Sequence, residues 1–293
     1  MVWAIVINPY SGKRNGLNLA HEFKKAALTK KIECVDICGT SAADSIARLR
    51  NAIASQNIEA VVVVGGDGLI NNVIQVLAQT KIPLAVLAAG TGNDFARTSG
   101  TFPLNPQQLC ELMFLEQSTA IDLGRVSAPH SVKWFGQILS TGFDSVVNER
   151  ANQFTRLKGK MKYNVATIMK LPRFNPVQYN IVADGREINT KAMLVAVANG
   201  PTYGGGMQVC PHADRYDGMF DILILRPLPK LEFIAVFPKV FKGTHITHPQ
   251  VEIFRAKELT IRANAKVYAD GEDFGDLPIH VETVGRSLLT WVK

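Results

Sequence analysis

Residues 61–77 read VVVVGGDGLINNVIQVL, and this stretch decides the fold of the first part of the chain. Four successive valines predict a buried strand, and the apolar spacing from Leu69 to Leu77 predicts a helix. Residues 65–68 are then the tight turn between these two elements. Backbone N–H groups at such a turn attract phosphate groups, which the carboxylate of Asp67 would repel. Asp67 therefore either caps the helix or reaches a phosphate through a bound cation.

The first 121 residues repeat this alternation of strand and helix. Strands are predicted at residues 2–7, 32–37 and 84–87, with amphipathic helices between them. Such alternation implies a parallel sheet with both faces covered, in which ligands bind at the carboxyl ends of the strands. We therefore predict a Rossmann-like α/β domain over residues 1–121.

The pattern changes to short strand-like runs from about residue 121 onwards. These runs and the Asp-Gly turn signals between them favour an antiparallel sandwich or barrel. Two helices are predicted near residues 160–171 and 231–240. We therefore expect a second, β-rich domain over residues 122–285, and substrate in the cleft where the two domains meet. The predicted strands are 121–126, 135–140, 177–183, 194–198, 220–225, 259–262 and 281–284.

Composition is that of a globular protein, with 47% apolar and 19% charged residues among 293. The formal charge of +7 favours an anionic partner but does not choose among a nucleotide, a nucleic acid and an acidic membrane surface. Four scattered cysteines predict neither a disulfide framework nor a zinc site. Without a long apolar stretch or a signal-peptide pattern, a cytoplasmic location is expected.

Three loops of the first domain carry the chemistry of phosphate binding. They read NPYSGKRNG at 8–16, GGDGLIN at 65–71 and AAGTGNDFAR at 88–97. Each follows a predicted strand and offers glycine N–H groups beside hydroxyl or amide side chains. The glycine fingerprints of dinucleotide dehydrogenases and of P-loop enzymes are absent from the sequence, which disfavours both classes.

These loops, in this order and spacing, resemble the catalytic domain of the diacylglycerol kinase family, which includes bacterial soluble lipid kinases and sphingosine kinase relatives. Later segments resemble the same family: KGKMKYNVATIMKL at 158–171, NGPTYGGGMQVCPHADRYDGMFDI at 199–222 and DGE at 270–272. The resemblance covers nearly the whole chain. It implies an α/β domain of NAD kinase and diacylglycerol kinase type, a β-sandwich second domain, and a last strand at 286–293 that returns to the first domain.

The resemblance also implies an ATP site in the first domain. Asp67 would act there through Mg²⁺, and Asp94 would be a second carboxylate of the same network, unless it only caps the helix before Phe95. Most diacylglycerol kinases have threonine where this chain has Leu69, which puts the acceptor lipid in question more than the donor. The implied ATP-site residues are Asn8, Pro9, Tyr10, Ser11, Gly12, Thr40, Gly65, Gly66, Asp67, Gly68, Leu69, Ile70, Asn71, Thr91 and Asp94.

In the second domain the resemblance implies that Glu272 is the proton acceptor. Asp270 would help to organise metal and water, and with Asp67 these two residues form the predicted catalytic set. From the residues alone, a plain hairpin turn at Asp270-Gly271 is favoured over a catalytic role. The segment DRYDGM resembles a structural cation site with Asp214, Asp217 and Met219 as ligands, of which Asp217 would supply a carboxylate and the other two mainly backbone carbonyls. Without the resemblance, Asp217-Gly218 is a plain turn.

Three further segments have two interpretations each. The loop TYGGGM at 202–207 would face a lipid, or its glycines only permit a tight backbone. The basic segment RLKGKMKY at 156–163 is either a solvated helix face or a contact with an anionic membrane. His245 and His248 in THITH have the spacing of helical metal ligands, but Pro249 and the β-rich surroundings favour a surface loop.

Our hypothesis from the sequence is ATP- and Mg²⁺-dependent phosphorylation of a hydroxyl of a membrane lipid, diacylglycerol or a related lipid. The enzyme would be cytoplasmic and peripheral to an anionic membrane, without a nucleic-acid partner, and a homodimer is left open. One alternative is an NAD kinase-like enzyme, against which GTGNDFAR argues. Another is a catalytically silent lipid-binding module, which the retained acidic residues disfavour.

Overall fold

The computed structural model describes residues 1–9, 11, 15–154 and 160–293, and these form two compact units. The first unit consists of Met1–Ile121 together with Arg286–Lys293. The second consists of Asp122–Gly285. The predicted fold class, an α/β domain and a β-rich sandwich, is confirmed element by element below.

The first unit alternates strands and helices around a parallel sheet of order β2-β1-β3-β4. Strand β3 carries the quoted valines, and every one of its residues is buried because both faces of the sheet are covered. The elements are β1 Val2–Ile7, α1 Gly16–Thr29, β2 Glu33–Ile37, α2 Ala42–Ser55, β3 Ala60–Gly65, α3 Asp67–Leu77, β4 Leu84–Ala88, α4 Asp94–Thr98 and α5 Pro106–Leu115.

Helix starts in this unit follow from side-chain caps. The hydroxyl of Ser41 accepts a hydrogen bond from the backbone N–H of Asp44 at 3.1 Å, which fixes the start of α2. Asn105 and Gln108 form a reciprocal capping box at the start of α5, with Pro106 in the first turn. Local sequence therefore determines where these helices begin.

The second unit contains two antiparallel sheets and three helices among its described residues. Helix α6, rich in Asn, Ser and Val, was missed by the sequence reading because these residues are weak helix formers. The strands are β5 Thr119–Ala128, which begins in the first unit, β6 Ser131–Phe135, β7 Ile138–Gly142, β8 Val177–Ala183, β9 Arg186–Ala192, β10 Leu194–Ala198, β11 Phe220–Leu225, β12 Val251–Ala256, β13 Glu258–Arg262, β14 Lys266–Ala269, β15 Glu272–Asp276 and β16 Ile279–Thr290; the helices are α6 Phe143–Asn152, α7 Lys160–Lys170 and α8 Lys230–Val236. Short 3₁₀ helices span Leu171–Arg173, Phe237–Lys242 and Thr244–Thr247.

Alternating side chains divide the second unit into two apolar layers. One sheet has the order β12-β11-β10-β7-β14-β15, and the other contains β8, β9, β13 and the first part of β16. Val195 and Val197 of β10 pack into the core between the sheets, whereas Ala196 and Ala198 pack with the helices on the other face. Because successive side chains of a strand point to opposite faces, the sheet has a second apolar face, and helices α6 and α8 pack on it.

Residues Arg286–Lys293 complete the first unit from the far end of the chain. Thr290 pairs with Leu84 in parallel, and its hydroxyl donates to the carbonyl oxygen of Leu84 at 2.7 Å. The indole Nε1 of Trp291 donates to the carbonyl oxygen of Glu116 at 2.9 Å. The last strand thus joins the sheet of the first unit beside β4.

Leu84→Ala should lower the free energy of unfolding of the first unit by about 2–5 kcal/mol, because this fully buried residue of β4 would leave a cavity. Chemical denaturation followed by circular dichroism measures the change. The control Leu115→Ala, at a side chain that is 73% exposed, should change it by less than about 0.5 kcal/mol. Equal effects of both variants would contradict the packing described for β4.

Candidate active site

The predicted phosphate-binding loops lie side by side at one edge of the first unit. Strands β2, β1, β3 and β4 are parallel neighbours in that order, so the segments that follow them leave the sheet at the same edge. The structure thereby brings together Thr40 after β2, Asn8–Ser11 after β1, the turn 65–68 after β3 and residues 89–94 after β4. Tyr10 and Gly12, also predicted here, lie outside the described residues.

Two glycines allow the turns after β3 and β4 to touch through their backbones. A Cβ atom on Gly90 would lie 2.5 Å from the Cα atom of Gly66, and one on Gly66 would lie 3.0 Å from that of Gly90. A side chain at Gly90 would therefore force the two backbones apart. Gly66 is also the N-cap of α3, so the first turn of that helix begins where the two turns meet.

Asp67 holds these two turns together. It is the first residue of α3, not the cap of that helix. Its carboxylate accepts hydrogen bonds from the backbone N–H groups of Asn93 at 2.8 Å and Phe95 at 3.4 Å, at the start of α4. The alternative that Asp67 caps α3 is therefore wrong, and its carboxylate instead accepts N–H groups at the start of α4, 26 residues further along the chain.

Asn93 shapes the second turn, and the sequence reading gave it no role. Its backbone is left-handed, with φ of 57°. Its side chain closes the turn on Gly90, since Oδ1 accepts from the N–H at 2.8 Å and Nδ2 donates to the carbonyl at 3.1 Å. Asp94, the next residue, is buried in the first turn of α4. The asparagine that follows Thr-Gly could have identified this turn from the sequence, because asparagine tolerates the left-handed backbone region.

The loops after β1 and β2 are fixed by short contacts. The N–H of Asn8 donates to the carbonyl oxygen of Val64 at 3.1 Å, and that of Ser11 donates to the carbonyl of Asn8 at the same distance. Thr40 is exposed, and both its N–H and its hydroxyl donate to the carboxylate of Asp44. A hydrogen bond from Arg48, followed by those from Thr40, lowers the pKa of Asp44. These residues present polar groups at the same edge as Asp67.

In the second unit, Asp270 anchors a hairpin turn. Asp270 and Gly271 both have positive φ, 50° and 82°, and connect β14 to β15. The carboxylate of Asp270 accepts from three backbone N–H groups, those of residues 136, 137 and 138, at 2.7–3.1 Å. The hairpin turn predicted at Asp270-Gly271 is therefore present, and the carboxylate of Asp270 also holds the backbone of residues 136–138 in position.

Glu272 is the first residue of β15 and is exposed. It stands opposite Ala269 in the hairpin. Within the described part of the chain its carboxylate makes no hydrogen bond and no ion pair. A solvated carboxylate on a fixed hairpin is able to accept a proton from a group brought to it.

The buried side chain of Asn199 connects the segments around Asp270. Its Nδ2 donates to the carbonyl oxygens of Asp122 at 2.9 Å and Gly136 at 3.0 Å. The carboxylate of Asp122 in turn accepts from the N–H of Gly218 at 2.8 Å. The predicted cation segment 214–219 and the hairpin at 270–272 therefore belong to one connected set of polar contacts, which the sequence reading did not identify.

The predicted cation ligands Asp214 and Asp217 are engaged within their own turn. Asp214 accepts from the N–H of Tyr216 at 3.0 Å, and Asp217 accepts from that of Met219 at 2.9 Å. The other carboxylate oxygen of Asp217 forms an ion pair with Arg255. Burial raises the pKa of the nearby Asp221 carboxyl group, whereas the positive charge of Arg255 acts to lower it. The guanidinium thus balances the charge of Asp217, and no group of three or more His, Cys, Asp or Glu side chains suited to a metal ion occurs among the described residues.

An apolar cavity lies between the helices and the sheet of the second unit. Its empty volume is about 940 Å³, counting the solvent space that opens into it. Tyr203, Gly204 and Met207 of the TYGGGM loop line it, and Gly204, Gly205 and Gly206 all have positive φ. Other lining residues include Leu194, Leu223, Leu225, Phe233, Phe237, Val240 and Val251.

Two titratable side chains line this apolar cavity. Burial raises the pKa of Asp144, whereas hydrogen bonds from Ser140, Tyr203 and Asn148 oppose the shift. His245 is 4% exposed, so the prediction that THITH is a surface loop is wrong for this residue. Its ring packs inward because the 3₁₀ helix Thr244–Thr247 places Nε2 3.0 Å from the carbonyl oxygen of Val209.

The sequence raised two points about membranes, a basic segment that could contact one and the lack of a segment long enough to span one. In the basic segment 156–163, residues 156–159 lie outside the described residues. Among the described helices, none combines the length and the apolar character needed to cross a bilayer.

Comparisons with known proteins agree on one family. Residues 2–126 match the model of the diacylglycerol kinase catalytic domain, and residues 137–291 match that of the YegS C-terminal NAD kinase beta sandwich-like domain. A diacylglycerol kinase of Mycobacterium tuberculosis is 37% identical over 96% of this chain and 92% of its own length. The putative lipid kinase YtlR of Bacillus subtilis is 27% identical over 95% and 96%.

A solved structure is similar in fold. It is that of a putative diacylglycerol kinase from Bacillus anthracis, with a TM-score of 0.81 and 20% identity, covering 100% of this chain and 95% of that one. At this identity the similarity concerns the fold, and it agrees with an α/β domain followed by a β-rich one.

Asp67→Ala should release the turn after β4, because the N–H groups of Asn93 and Phe95 lose their acceptor. Hydrogen exchange at these two amides should accelerate by about tenfold, as expected for the loss of a charge-assisted hydrogen bond. The matched control is Asp44→Ala, which should accelerate exchange at Thr40 and leave Asn93 and Phe95 unchanged. Unchanged protection of Asn93 in Asp67→Ala would contradict the bridging role.

Proposed function

The chain belongs to the diacylglycerol kinase family of lipid kinases, and on this premise we propose that it transfers the γ-phosphoryl group of ATP to a hydroxyl of a membrane lipid. Diacylglycerol or a related lipid is the proposed acceptor. The observation that carries the proposal is the convergence of the loops after β1, β2, β3 and β4 at one sheet edge, with Asp67 fixing two of them. Such an edge is where α/β sheets bind nucleotides.

The proposed ATP site uses backbone groups more than side chains. The N-terminus of α3, opened by Gly66, directs N–H groups and the positive end of the helix dipole toward the sheet edge. Asn8, Ser11, Thr40, Thr91 and the turn 65–71 would surround the phosphates and the nucleoside. The contact between Gly66 and Gly90 leaves no side chain in the way of a phosphate at that point.

Magnesium fits the proposed site through Asp67. Its carboxylate lies where the turns after β3 and β4 meet, beside the N–H groups of Asn93 and Phe95. Mg²⁺ characteristically takes one or two carboxylates and completes its shell with water and substrate phosphates, so a cage of protein ligands is not required. When bound, the ion would neutralise negative charge on the phosphates, with Asp94 as the proposed second carboxylate.

Phosphoryl transfer then requires a base and a positioned hydroxyl. We assign the base to Glu272, which takes the hydroxyl proton while the lipid oxygen bonds to the γ-phosphorus and the bond to the β-phosphate oxygen breaks, leaving ADP. Asp270 would hold the hairpin that carries Glu272, through its contacts to residues 136–138. The cation at Asp214, Asp217 and Met219 stays a prediction, since Arg255 already pairs with Asp217.

The apolar cavity of the second unit supports a lipid acceptor. Its lining is almost entirely aliphatic and aromatic, as suits a hydrocarbon chain that leaves a bilayer. A formal charge of +7 supports a peripheral contact with an anionic membrane surface on the cytoplasmic side, where lipid metabolism would use such an enzyme. The proposal includes no nucleic-acid partner and leaves a homodimer open.

One rival function is phosphorylation of NAD. The match of residues 137–291 to a sandwich domain described as NAD kinase-like favours it. The turn built from Gly90 to Asp94, within GTGNDFAR, argues against it. A silent lipid-binding module would have no use for an exposed Glu272 beside an anchored Asp270.

The decisive experiment is incubation of the purified chain with labelled ATP, Mg²⁺ and a panel of lipids, with NAD as a further acceptor. Label transfer to a lipid supports the proposal, and label transfer to NAD alone supports the rival. Tight ATP binding without transfer to any lipid would overturn the enzyme assignment.

Glu272→Gln should lower kcat by about 10²–10⁴-fold with little change in KM for ATP, because the base is lost and nucleotide contacts are not. The matched control is Asp276→Asn, which removes another exposed carboxylate from the same strand and should keep the wild-type rate. A Glu272→Gln enzyme as fast as wild type would show that another group accepts the proton.

A further inference from the structure

Helix α8 of the second unit is apolar on two opposite faces. Phe233 and Val236 are buried and line the apolar cavity. Leu231 and Ile234, one helical turn apart on the opposite face, are 83% and 56% exposed. A surface helix of a globular protein normally pairs one apolar face with one polar face. Packing inside the unit therefore accounts for only one of the two apolar faces of α8.

The end of helix α7 adjoins the start of α8. Nζ of Lys230, the first residue of α8, donates to the carbonyl oxygen of Pro172, which lies just after α7. The ring of Phe143 contacts both segments, with centroid distances of 5.1 Å to Phe174 and 5.0 Å to Phe233. The outer surfaces of the two helices are therefore neighbours.

Helix α7 also exposes large apolar side chains. Thr167 lines the cavity, whereas Ile168 and Met169, which follow it, are exposed. Met161, about two helical turns before Ile168 and therefore on the same face, is exposed as well. Large apolar side chains grouped in this way on a surface mark a contact with a membrane or with another protein. The α7–α8 patch consists of Met161, Ile168, Met169, Leu231 and Ile234.

Positive charge is concentrated in the same part of the chain. Residues 160–173 and 230–242 contain seven Lys or Arg residues and one acidic residue, so they carry almost all of the formal charge of +7. The acidic residue, Glu232, is paired with Nε2 of His248 at 3.0 Å. Within the described ranges, four basic side chains of these segments form no ion pair: Lys170, Arg173, Lys239 and Lys242.

We propose that the α7–α8 patch docks on the surface of an anionic bilayer. Leu231 and Ile234 enter the boundary between head groups and acyl chains, and the surrounding Lys and Arg side chains meet the lipid phosphates. Charge decides between a bilayer and a second copy of this chain, because two copies of a positive surface repel each other. This inference rests on the proposed function and deepens it by naming the surface that meets the membrane.

Docking through this patch would also explain how a lipid reaches the cavity. The inner face of α8 lines the cavity and its outer face would lie in the bilayer surface. Only the thickness of one helix, about 10 Å, then separates the cavity from the acyl chains. A lipid substrate would therefore move from the bilayer to the cavity with little exposure of its chains to water.

The test is cosedimentation of the full chain with vesicles of equal parts phosphatidylglycerol and phosphatidylcholine, without ATP or diacylglycerol. The double variant Leu231→Gln/Ile234→Gln should bind at least about tenfold more weakly, because two apolar side chains no longer enter the bilayer. Glutamine keeps a high helix propensity, so α8 should form. The matched control Leu28→Gln/Leu115→Gln, at side chains 74% and 73% exposed on α1 and α5, should bind like the wild type.

Two measurements on the wild type complete the test. Binding should weaken by about tenfold or more on vesicles of phosphatidylcholine alone, because several unpaired cations lose their anionic partners. Hydrogen exchange at residues 231–236 should slow on the mixed vesicles, while exchange in α1 stays the same. Unchanged exchange at residues 231–236 on vesicles that bind the chain would overturn the assignment to α8.

Other outcomes would also contradict the proposal. Equal loss of vesicle binding in the two double variants, or no loss in either, would show that the α7–α8 patch has no special role. If Leu231→Gln/Ile234→Gln instead abolished self-association in sedimentation velocity and left vesicle binding intact, the patch would be an interface between copies of the chain.

Failure of the kinase proposal would look different. Vesicle binding that depends on Leu231 and Ile234, without phosphoryl transfer to any lipid, would count against the proposed function and leave the docking surface supported. Phosphoryl transfer to a lipid in detergent, by a chain whose vesicle binding does not depend on these residues, would do the reverse.

Discussion

The hydrogen bonds from the backbone of Asn93 and Phe95 to the carboxylate of Asp67 are the constraint on which the loop-bearing edge of the first unit's sheet depends. They hold two glycine turns so close that a single added Cβ atom would separate them. A carboxylate can accept several N–H groups and retain lone pairs for a cation. Asp67 thus accepts N–H groups at the start of α4, and in the proposed site the same carboxylate would meet the metal ion.

The second unit uses buried polar groups in the same way. The carboxylate of Asp270 accepts hydrogen bonds from three backbone N–H groups. The side-chain amide of Asn199 donates to two carbonyl oxygens inside the sandwich. Buried hydrogen bonds of this kind fix the backbone because the unpaired alternative is costly. The contacts of Asp270 with residues 136–138 therefore fix the hairpin that carries Glu272. The carboxylate of Glu272 itself is exposed to solvent.

The sequence predicted what depends on neighbouring residues. Strand and helix alternation, the valine strand and the Asp-Gly hairpin at Asp270 are local patterns, and each is present in the structure. It also placed the residues predicted for an ATP site on loops that the parallel sheet brings to one edge. Helix α6 was missed because its residues have weak helix propensity.

The remaining contacts could not be read from the sequence because they join distant positions. Arg255 meets Asp217 across 38 residues, and Asn199 meets Asp122 across 77. Which residues meet depends on strand order and register, which a single sequence does not specify. His245 was misjudged for the same reason: the pattern THITH shows polar residues beside a proline, and only the packing on Val209 turns one ring inward.

The strand β16 has a consequence for how the protein is made. Thr290 and Trp291 belong to the core of the first unit, but they are synthesised after the whole of the second. During synthesis the β4 edge of this sheet therefore lacks its later partner until residues 286–293 have been made, and an open strand edge of this kind favours aggregation.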